Sequence, residues 1–432
     1  MCYLKKPTIN GARLQQKIEE LGQFGKNEKG GLDRTTFTSA ELAAREWLQT
    51  QCVSLGLEVK CDPAANIWAF RNGREPLPAI SFGSHLDTVP NGGMYDGALG
   101  VLIALEVMER LNEEKIGTRH PFALVSFTAE EPNPFGLSTF GSRAVAGKLT
   151  KQDLEDVTDD NGLLLTEALR QAGGDPDRFE NTHALAPPLS AYLEVHIEQG
   201  KRLVTSSIPV GIVSGITGIY RERVTVTGDA NHAGTTVMAE RKDALAAAAE
   251  VVVAVEQAAV KMQAEEVVAT VGALDVRPNA ANIIPGQVDM VVEIRGKTIA
   301  ETEAVRHALN SQIAELARRR GVSIKQETFL SQAPVPMDQS LIDTFAEQAD
   351  SLGYKTLTLG SMAGHDAAHM AAVTRSGMLF VPSIGGKSHC PEEASALCDI
   401  EAAANVLFHA LLKLDQNLDQ KGTDTDEDAL FS

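Results

Sequence analysis

The chain has 432 residues, more than a single hydrophobic core usually serves, so two domains are expected. Its net charge of −19 argues against nucleic acid or an anionic membrane as a partner, because both require a basic face. No apolar run approaches the roughly 18 to 20 residues that span a bilayer. The first residues lack the apolar core of a secretory signal and the five cysteines lack CxxC spacing, so we expect a cytoplasmic protein with reduced thiols.

Helical and strand patterns alternate along the first half of the chain. A polar helix is predicted at 9–22, and a second begins near Ser39. Strands follow at 58–61, 66–70 and 79–84, and then a helix whose N-cap position is occupied by Asp96. Two further apolar strands run to Glu130 and His196. These patterns predict the α/β class: a catalytic domain with a mixed, open sheet flanked by helices.

The pattern changes near Gly215. Strands and two long helices, one rich in alanine, predict a smaller α+β domain at 215–329. This domain would be inserted into a discontinuous catalytic domain formed by 1–214 and 330–416. The segment Gln326–Asp338 contains two prolines and is interpreted as the return linker. The acidic tail at 417–432 is predicted to be disordered.

Residues of two metal-binding types stand at the ends of the predicted strands and in the loops beyond them. Imidazole and carboxylate groups bind zinc and its first-row neighbours, and the two oxygens of an aspartate can bridge two ions. In open α/β sheets, functional sites lie beyond the carboxyl ends of the strands. The predicted ligands of a two-metal site are His85, Asp96, Glu131, His196 and His389.

A further carboxylate, Glu130, precedes the predicted ligand Glu131 and suggests hydrolysis. Two metals polarise a carbonyl and acidify a water, and a neighbouring carboxylate takes its proton. Other interpretations remain open, since Asp96 could cap its helix and the two glutamates could be a solvated strand end. In HDAAH, His365 and His369 stand four residues apart and form a rival metal site, although the glutamate of an HExxH motif is absent.

These motifs, together with GGLDRTTFT near the start and SHCPEE near the end, resemble the binuclear amidohydrolases of the hydantoinase/carbamoylase group. This group belongs with the aminoacylase-like metallopeptidases and includes N-carbamoyl-L-amino acid hydrolase, β-ureidopropionase and allantoate amidohydrolase. The resemblance implies that His85 and His196 bind one metal, that Asp96 bridges both, and that Glu131 and His389 complete the second site.

The resemblance also implies roles for residues that are not ligands. Glu130 would be the general base. Asp87 would support catalysis by orienting the ligand imidazole. In the GHDA run, Gly364 and His365 would line the substrate site.

Four more positions resemble the family's substrate contacts: Gln199, His232, Asn282 and Arg295. Arg295 would bind a substrate carboxylate in bidentate fashion, and His232 and Asn282 would face the oxygen on which charge develops. The inserted domain would act as a lid and form a homodimer. One departure is the run Pro132–Phe135, where many relatives have a Gly-Ser-Arg-Phe-like sequence that touches the substrate.

The implied reaction is metal-dependent hydrolysis of the C–N amide bond of an N-carbamoyl amino acid, giving the amino acid, carbon dioxide and ammonia. A water bridging two divalent ions would attack, with zinc foremost and manganese, cobalt or nickel as alternatives. Allantoate, an N-acyl amino acid or a peptide remain alternative substrates. A non-catalytic amino-acid-binding protein would be expected to lack Glu130 or a ligand, and the chain has all of them.

Overall fold

The computed structural model of the chain describes residues 6–185, 187–264 and 266–417. All but the first residue of the predicted acidic tail at 417–432 lies outside them. The chain divides into two compact units. The first unit consists of the described residues up to Ser214, Met337–Leu359 and the described residues from His365 onward; the second consists of Gly215–Pro336 and Gly360–Gly364.

The α-helices of the described residues are α1 (Gly11–Leu21), α2 (Ser39–Ser54), α3 (Ala98–Glu113), α4 (Phe140–Val145), α5 (Leu165–Gln171), α6 (Thr182–Leu185), α7 (Arg202–Ser206), α8 (Ala244–Val260), α9 (Ile299–Arg320), α10 (Gln339–Leu352), α11 (Asp366–Met370) and α12 (Leu397–Asn417). Several begin at the caps that the sequence offers. The side chain of Thr38 accepts the amide of Glu41 at the start of α2, and Thr298 and Glu301 form a capping box at the start of α9.

The strands are β1 (Glu58–Cys61), β2 (Ile67–Arg71), β3 (Ala79–His85), β4 (Phe122–Phe127), β5 (Leu189–Ile197), β6 (Val210–Ile216), β7 (Gly218–Thr227), β8 (Asn231–His232), β9 (Val268–Arg277), β10 (Ile283–Ile284), β11 (Gln287–Gly296), β12 (Ser323–Gln332), β13 (Val335–Pro336), β14 (Thr356–Ser361) and β15 (Arg375–Val381). Within residues 6–185, 187–264 and 266–417, no helix combines the length and apolar character that a membrane span requires.

The first unit contains a mixed sheet with the strand order β1-β2-β4-β3-β5-β15-β6. The four central strands, β4, β3, β5 and β15, are parallel, and β2 and β6 pair antiparallel at either side. Every residue of β3 and β4 is buried, which explains their continuous apolar sequences. Helices pack on this sheet around a core that includes Phe82, Leu102, Leu124 and Phe408. The predicted mixed sheet flanked by helices is confirmed.

The second unit is built on an antiparallel sheet with the order β12-β7-β11-β9. Buried residues alternate with less buried ones along β7 and β11, as in a sheet covered on one face. The apolar face packs with α8 and α9 around a separate core that includes Val224, Val251, Val292 and Leu309. The second unit therefore has the α+β composition expected for 215–329, and its first boundary coincides with the predicted one.

The return to the first unit comes later than predicted. Strand β12 pairs with β7 from Ser323 to Gln332, so the first half of the predicted linker Gln326–Asp338 is a strand. The second unit accordingly continues to Pro336 instead of ending at 329. Most residues of β12 are exposed, and only three of its ten are apolar. An exposed strand of this kind lacks the apolar alternation that identifies a strand in a sequence.

Candidate metal and active site

The parallel strands of the first unit bring the predicted ligands to one edge of the sheet. His85 is the last residue of β3, and His196 is the next-to-last residue of β5. Glu131 follows the end of β4 by four residues, and His389 lies in the loop after β15. Because β3, β4, β5 and β15 are parallel, their carboxyl ends meet at this edge.

Three of these residues form an inner group: His85, Asp96 and His196. Each offers a ligand atom, and the three atoms lie within 4.8 Å of one another. Oδ1 of Asp96 is 3.2 Å from Nε2 of His196 and 3.6 Å from Nε2 of His85. The Nδ1 atoms donate to the backbone carbonyls of Ile197 at 2.9 Å and Asp87 at 3.0 Å, which directs both Nε2 atoms toward the site.

The outer group consists of Asp96, Glu131 and His389, again with ligand atoms within 4.8 Å. Nε2 of His389 is 3.0 Å from Oε1 of Glu131 and 3.5 Å from Oδ2 of Asp96. Asp96 therefore belongs to both groups and presents one oxygen to each. It is not the N-cap of α3, contrary to one interpretation of the sequence, because Gly97 occupies that position without a side-chain cap.

The inner group fits a divalent cation by its donor set and by an unsatisfied atom. Nε2 of His85 is buried and has no hydrogen-bond partner within the described residues. Leaving such an atom unpaired costs about 1–3 kcal/mol, which a metal bond would offset. Imidazole and carboxylate ligands suit zinc and neighbouring first-row ions. Both groups could therefore hold metal.

Gly97 is required beside the inner group. Its φ is 61°, in the left-handed region that favours glycine. A Cβ atom at this position would lie 2.2 Å from Cε1 and Nε2 of His85. The glycine of the Asp-Gly pair thus allows the loop carrying Asp96 to pass directly over the imidazole.

Burial and close charges shift the pKa values of the site strongly. Burial alone would raise the pKa of Asp96, but the facing imidazoles of His196 and His85 outweigh it and hold the pKa well below its usual range. Burial raises the pKa of Glu130 well above its usual range; the nearby carboxylates Glu131 and Asp366 add to this rise and His85 opposes it. Around Nε2 of His85, which lies 3.6 Å from Asp96 and 3.7 Å from Glu130, one carboxylate is held charged and the other favours a proton.

Asp87 supports several groups of the site at once. Its side chain accepts the backbone amides of Glu130 at 3.3 Å and Glu131 at 3.1 Å, and the hydroxyl of Thr36 at 2.8 Å. Its backbone carbonyl orients His85. It therefore fixes the pair of glutamates relative to the inner histidine. The carboxylate of Glu130, only 9% exposed, lies 3.7 Å from Nε2 of His85.

The predicted substrate residues of the first unit lie next to these groups. Nε2 of Gln199 donates to Oδ2 of Asp96 at 2.7 Å, so this amide contacts the shared carboxylate. The ring of His365 is buried, and its centroid is 4.5 Å from that of His196.

In the second unit, the predicted substrate residues form a polar pair and a separate cation. Strand β8 pairs with β10, and the amide of Ala233 donates to the carbonyl of Asn282 at 2.9 Å, which places His232 and Asn282 side by side and exposed. Arg295 donates to Glu293 at 2.8 Å and to the carbonyl of Met362 at 2.7 Å. Gly364 falls in this unit, and a Cβ atom at this position would meet nothing within 4 Å.

The rival metal site at HDAAH does not form. His365 is the N-cap of the five-residue helix α11 rather than part of it, and its ring packs on His196. The imidazole of His369 instead lies 2.9 Å from the hydroxyl of Thr139 and 3.1 Å from Nζ of Lys148. The helix begins too late for the two imidazoles to share one helical face.

Glu194, which was not predicted as a site residue, forms a third group with His196 and His365. Its oxygens already accept the hydroxyls of Ser84 and Tyr192 and the amide of Ala367, at 2.8, 3.1 and 3.0 Å. We therefore interpret it as a support for the site instead of a ligand. The sequence did contain a signal for Glu194, because it stands two residues before His196 in β5 and residues two apart in a strand share a face.

The segment that departs from the family pattern is an ordered turn. Asn133 accepts the amide of Phe135 at 3.1 Å and donates to the carbonyl of Glu131 at 3.2 Å. Phe135 is buried against Phe37, with ring centroids 5.8 Å apart. The chain thus leaves Glu131, a predicted ligand, through a turn that the side chain of Asn133 stabilises.

Comparison with known proteins places this site in a family. The model of peptidase family M20/M25/M40 matches residues 81–413. An N-carbamoyl-L-amino acid amidohydrolase of Geobacillus stearothermophilus is 38% identical, with 94% of this chain and 99% of the relative aligned. An allantoate amidohydrolase of Bacillus subtilis is 34% identical over 92% of this chain and 96% of its own length.

A solved structure of a hydantoinase/carbamoylase family amidase from Burkholderia multivorans superposes with a TM-score of 0.87. It shares 34% identity and covers 94% of this chain and 98% of its own. The sequence comparison and the structure comparison each cover 94% of this chain. The chain therefore belongs to peptidase family M20/M25/M40, and it is an amidohydrolase that resembles the hydantoinase/carbamoylase amidases.

Proposed function

We propose that the enzyme hydrolyses the C–N amide bond of an N-carbamoyl amino acid with two divalent ions held by the inner and outer groups. Water adds to the ureido carbonyl, the bond to the amino-acid nitrogen breaks, and the carbamate formed decomposes to carbon dioxide and ammonia. One observation carries the proposal: Oδ1 of Asp96 faces the inner group, Oδ2 faces the outer group, and the carboxylate of Glu130 lies 3.7 Å from Nε2 of His85.

Five residues would hold the ions: His85, Asp96, Glu131, His196 and His389. When bound, divalent ions would polarise the ureido carbonyl and lower the pKa of water, with zinc the foremost choice and manganese, cobalt or nickel also suited to the ligands.

Glu130 would move the protons of the reaction. As general base it would take a proton from the attacking water, and as general acid it would return that proton to the leaving nitrogen. The position favours such a role, since this carboxylate belongs to a buried residue and lies 3.7 Å from Nε2 of His85. Asp87 would keep Glu130 aimed by binding its backbone amide.

Recognition of the amino-acid part would fall largely to the second unit. A guanidinium matches a carboxylate with two parallel hydrogen bonds, which suits Arg295 for the substrate carboxylate. The substrate would have to replace Glu293 as the partner of this guanidinium. His232 and Asn282 would donate to the carbonyl oxygen as charge develops on it. Gln199, Gly364 and His365 would be the remaining residues in contact with the substrate.

We further propose a homodimer formed through the second unit. Helix α8 leaves the apolar side chains of Leu245, Val253 and Val260 exposed, at 38%, 48% and 71%. Apolar surface of this kind on one helix is typical of an interface. Light scattering during size-exclusion chromatography should give twice the mass of the chain, and a Val253→Asp variant should elute as a monomer.

The substrate assignment is tested by ammonia release. N-carbamoyl-α-amino acids, N-carbamoyl-β-alanine and allantoate are each offered to the enzyme as purified, after treatment with a chelator, and after metal is added back. We expect turnover of an N-carbamoyl-α-amino acid that is lost with chelation and restored by metal. Activity that resists chelation would contradict the metal assignment.

Allantoate is the second candidate, since an allantoate amidohydrolase is among the relatives and the turn at Pro132–Phe135 alters the surroundings of Glu131. Turnover of allantoate alone would select it. Failure of all three ureido compounds with metal-loaded enzyme would favour an N-acyl amino acid or a peptide.

A further inference from the structure

Glu393 joins two loops that lie nearly 300 residues apart in the chain. Only 4% of its surface is exposed. Its Oε1 accepts the amides of Tyr95 at 2.8 Å and Asp96 at 3.0 Å, and its Oε2 accepts the amide of His389 at 3.3 Å. One carboxylate thus binds the backbone of the shared ligand and the backbone of the outer histidine.

The hydroxyl of Ser388 extends this connection to the side chain of Asp96. Its Oγ lies 2.7 Å from Oδ2 of Asp96 and 3.1 Å from Oε2 of Glu393. Both the backbone and the carboxylate of Asp96 are therefore held from the loop that carries His389.

The loop before Asp96 is shaped to receive Glu393. A Cβ atom at Gly93 would lie 2.2 Å from Oε1 and 2.3 Å from Cδ of this glutamate. Any side chain at position 93 would displace the carboxylate, so the glycine is matched to it.

His389 depends more on these hydrogen bonds of Glu393, here called the brace, than His85 and His196 do. His85 and His196 are strand residues with 1% exposure, so the sheet itself fixes them. His389 lies in a loop with φ at 58°, a left-handed conformation unusual for a residue other than glycine, and its side chain is 46% exposed. Little except the bonds of its loop holds it toward Glu131.

We propose that Glu393 is a positioning residue for the outer group, where it sets the separation of Asp96 and His389 and so controls how tightly the outer metal binds. The inference rests on the proposed function, which supplies the two metal ions. Glu393 is not a member of either ligand group and acts through the backbone of their residues.

Zinc titration of the metal-free protein tests this role, with a chromophoric chelator as competitor. In Glu393→Ala we expect the inner ion to bind as in the wild type and the outer ion to bind about 10–100-fold more weakly, with activity restored by excess zinc. Glu392→Ala is the matched control. Glu392 precedes Glu393 in the chain, and its side chain is exposed; among the ion pairs of the described residues it takes part only in that with Lys387, at 3.7 Å. This variant should titrate as the wild type does.

Two further variants test the geometry. Glu393→Gln should be intermediate, because its carbonyl oxygen can still accept the amides of Tyr95 and Asp96 while its NH₂ group cannot accept that of His389. Gly93→Ala should weaken the outer ion as Glu393→Ala does, since it displaces the same carboxylate. Wild-type affinity for both ions in Glu393→Ala, or equal weakening of both, would overturn the proposal.

The same experiments separate this inference from the proposed function. A wild-type protein that takes up fewer than two zinc ions contradicts the proposed function. The brace is then judged by hydrogen exchange of the metal-free protein at the amides of Tyr95, Asp96 and His389. Faster exchange there in Glu393→Ala than in Glu392→Ala supports the brace, and equal exchange overturns it. Should Glu393→Ala not fold, Glu393→Gln and Gly93→Ala take its place in both measurements.

Discussion

The two units hold their polar residues in opposite ways. In the first, four of the five predicted ligands are buried, and among them His85, Asp96 and His196 are 1%, 4% and 1% exposed. In the second, the predicted recognition residues His232 and Asn282 are exposed. Under the proposed function, the buried groups of the first unit would align the reacting atoms, whereas the exposed groups of the second would bind and release the substrate.

Arg295 and Glu194 show the same contrast between the two units in the partners of their charged groups. The guanidinium of Arg295 is engaged by Glu293 and the carbonyl of Met362, partners that a substrate carboxylate would have to replace in part. In the first unit, by contrast, the carboxylate of Glu194 accepts hydrogen bonds from Ser84, Tyr192 and Ala367, and the proposed function does not require it to release them. Changes in the first unit should therefore alter kcat or metal binding, and changes in the second should alter KM.

The largest effect is expected for Glu130→Gln. The amide keeps the size of the side chain but cannot accept a proton, so kcat should fall about a hundredfold to ten-thousandfold while metal content stays unchanged. Steady-state kinetics together with metal analysis measure both quantities. Glu392→Gln, an exposed glutamate, serves as the control. Near-normal turnover by metal-loaded Glu130→Gln would refute its role as general base.

Gly97→Ala should disturb the inner group. The added Cβ meets the imidazole of His85 at 2.2 Å, so zinc affinity should fall about 10–100-fold. Gly162→Ala is the matched control: its φ is also left-handed, at 82°, but a Cβ there meets nothing within 4 Å. It should cost about 1–2 kcal/mol of stability and leave zinc binding intact. Equal zinc affinity in the two variants would show that the close approach at Gly97 has no bearing on metal.

Arg295→Lys should change recognition without changing chemistry. Lysine retains the charge and loses the planar fork, so KM should rise about tenfold or more at nearly constant kcat. Arg277→Lys, an exposed arginine of the same sheet, is the control. A fall in kcat at unchanged KM would place Arg295 with the chemical groups and abolish the contrast between the two units.

The sequence predicted the first unit well because its signals are strong and local. Buried parallel strands such as β3 and β4 are continuous apolar runs, and their ends locate His85 and the two glutamates. The second unit was predicted less well at its end, because β12 is largely exposed and lacks apolar alternation. The exposure of β12 therefore limited prediction of where the second unit ends.

Residues that support the site were harder to predict than the members of the inner and outer groups. Glu393 stands within the SHCPEE motif, yet its partners Tyr95 and Asp96 are far away in sequence, and only the fold reveals that one carboxylate binds both. The spacing of HDAAH suggested a shared helical face, but the helix begins after His365. Contacts set by tertiary structure leave little trace in local pattern.

The smallest expected effect concerns a partly buried histidine, His369, which is compared with an exposed one. The pKa of His369 in the first unit is lowered from 6.5 to about 3, chiefly by burial and also by Lys148 and Arg143. The folded state thus keeps this imidazole neutral while the unfolded chain takes up a proton below pH 6.5. Its contribution to stability is present above pH 6.5 and is lost as the pH falls toward 3, by at most about 1.4 kcal/mol per pH unit.

Urea unfolding of the wild type and of His369→Gln between pH 7.5 and about 4.5 measures this loss. The stability of His369→Gln relative to the wild type should rise as the pH falls, because glutamine has no proton to bind. His307→Gln, at an exposed position on α9 of the second unit, should follow the wild type at every pH. Parallel curves for all three proteins would mean that burial and the charges of Lys148 and Arg143 do not keep the ring of His369 neutral. The contrast between buried polar residues in the first unit and exposed polar residues in the second would then be supported only by the residues of the candidate site.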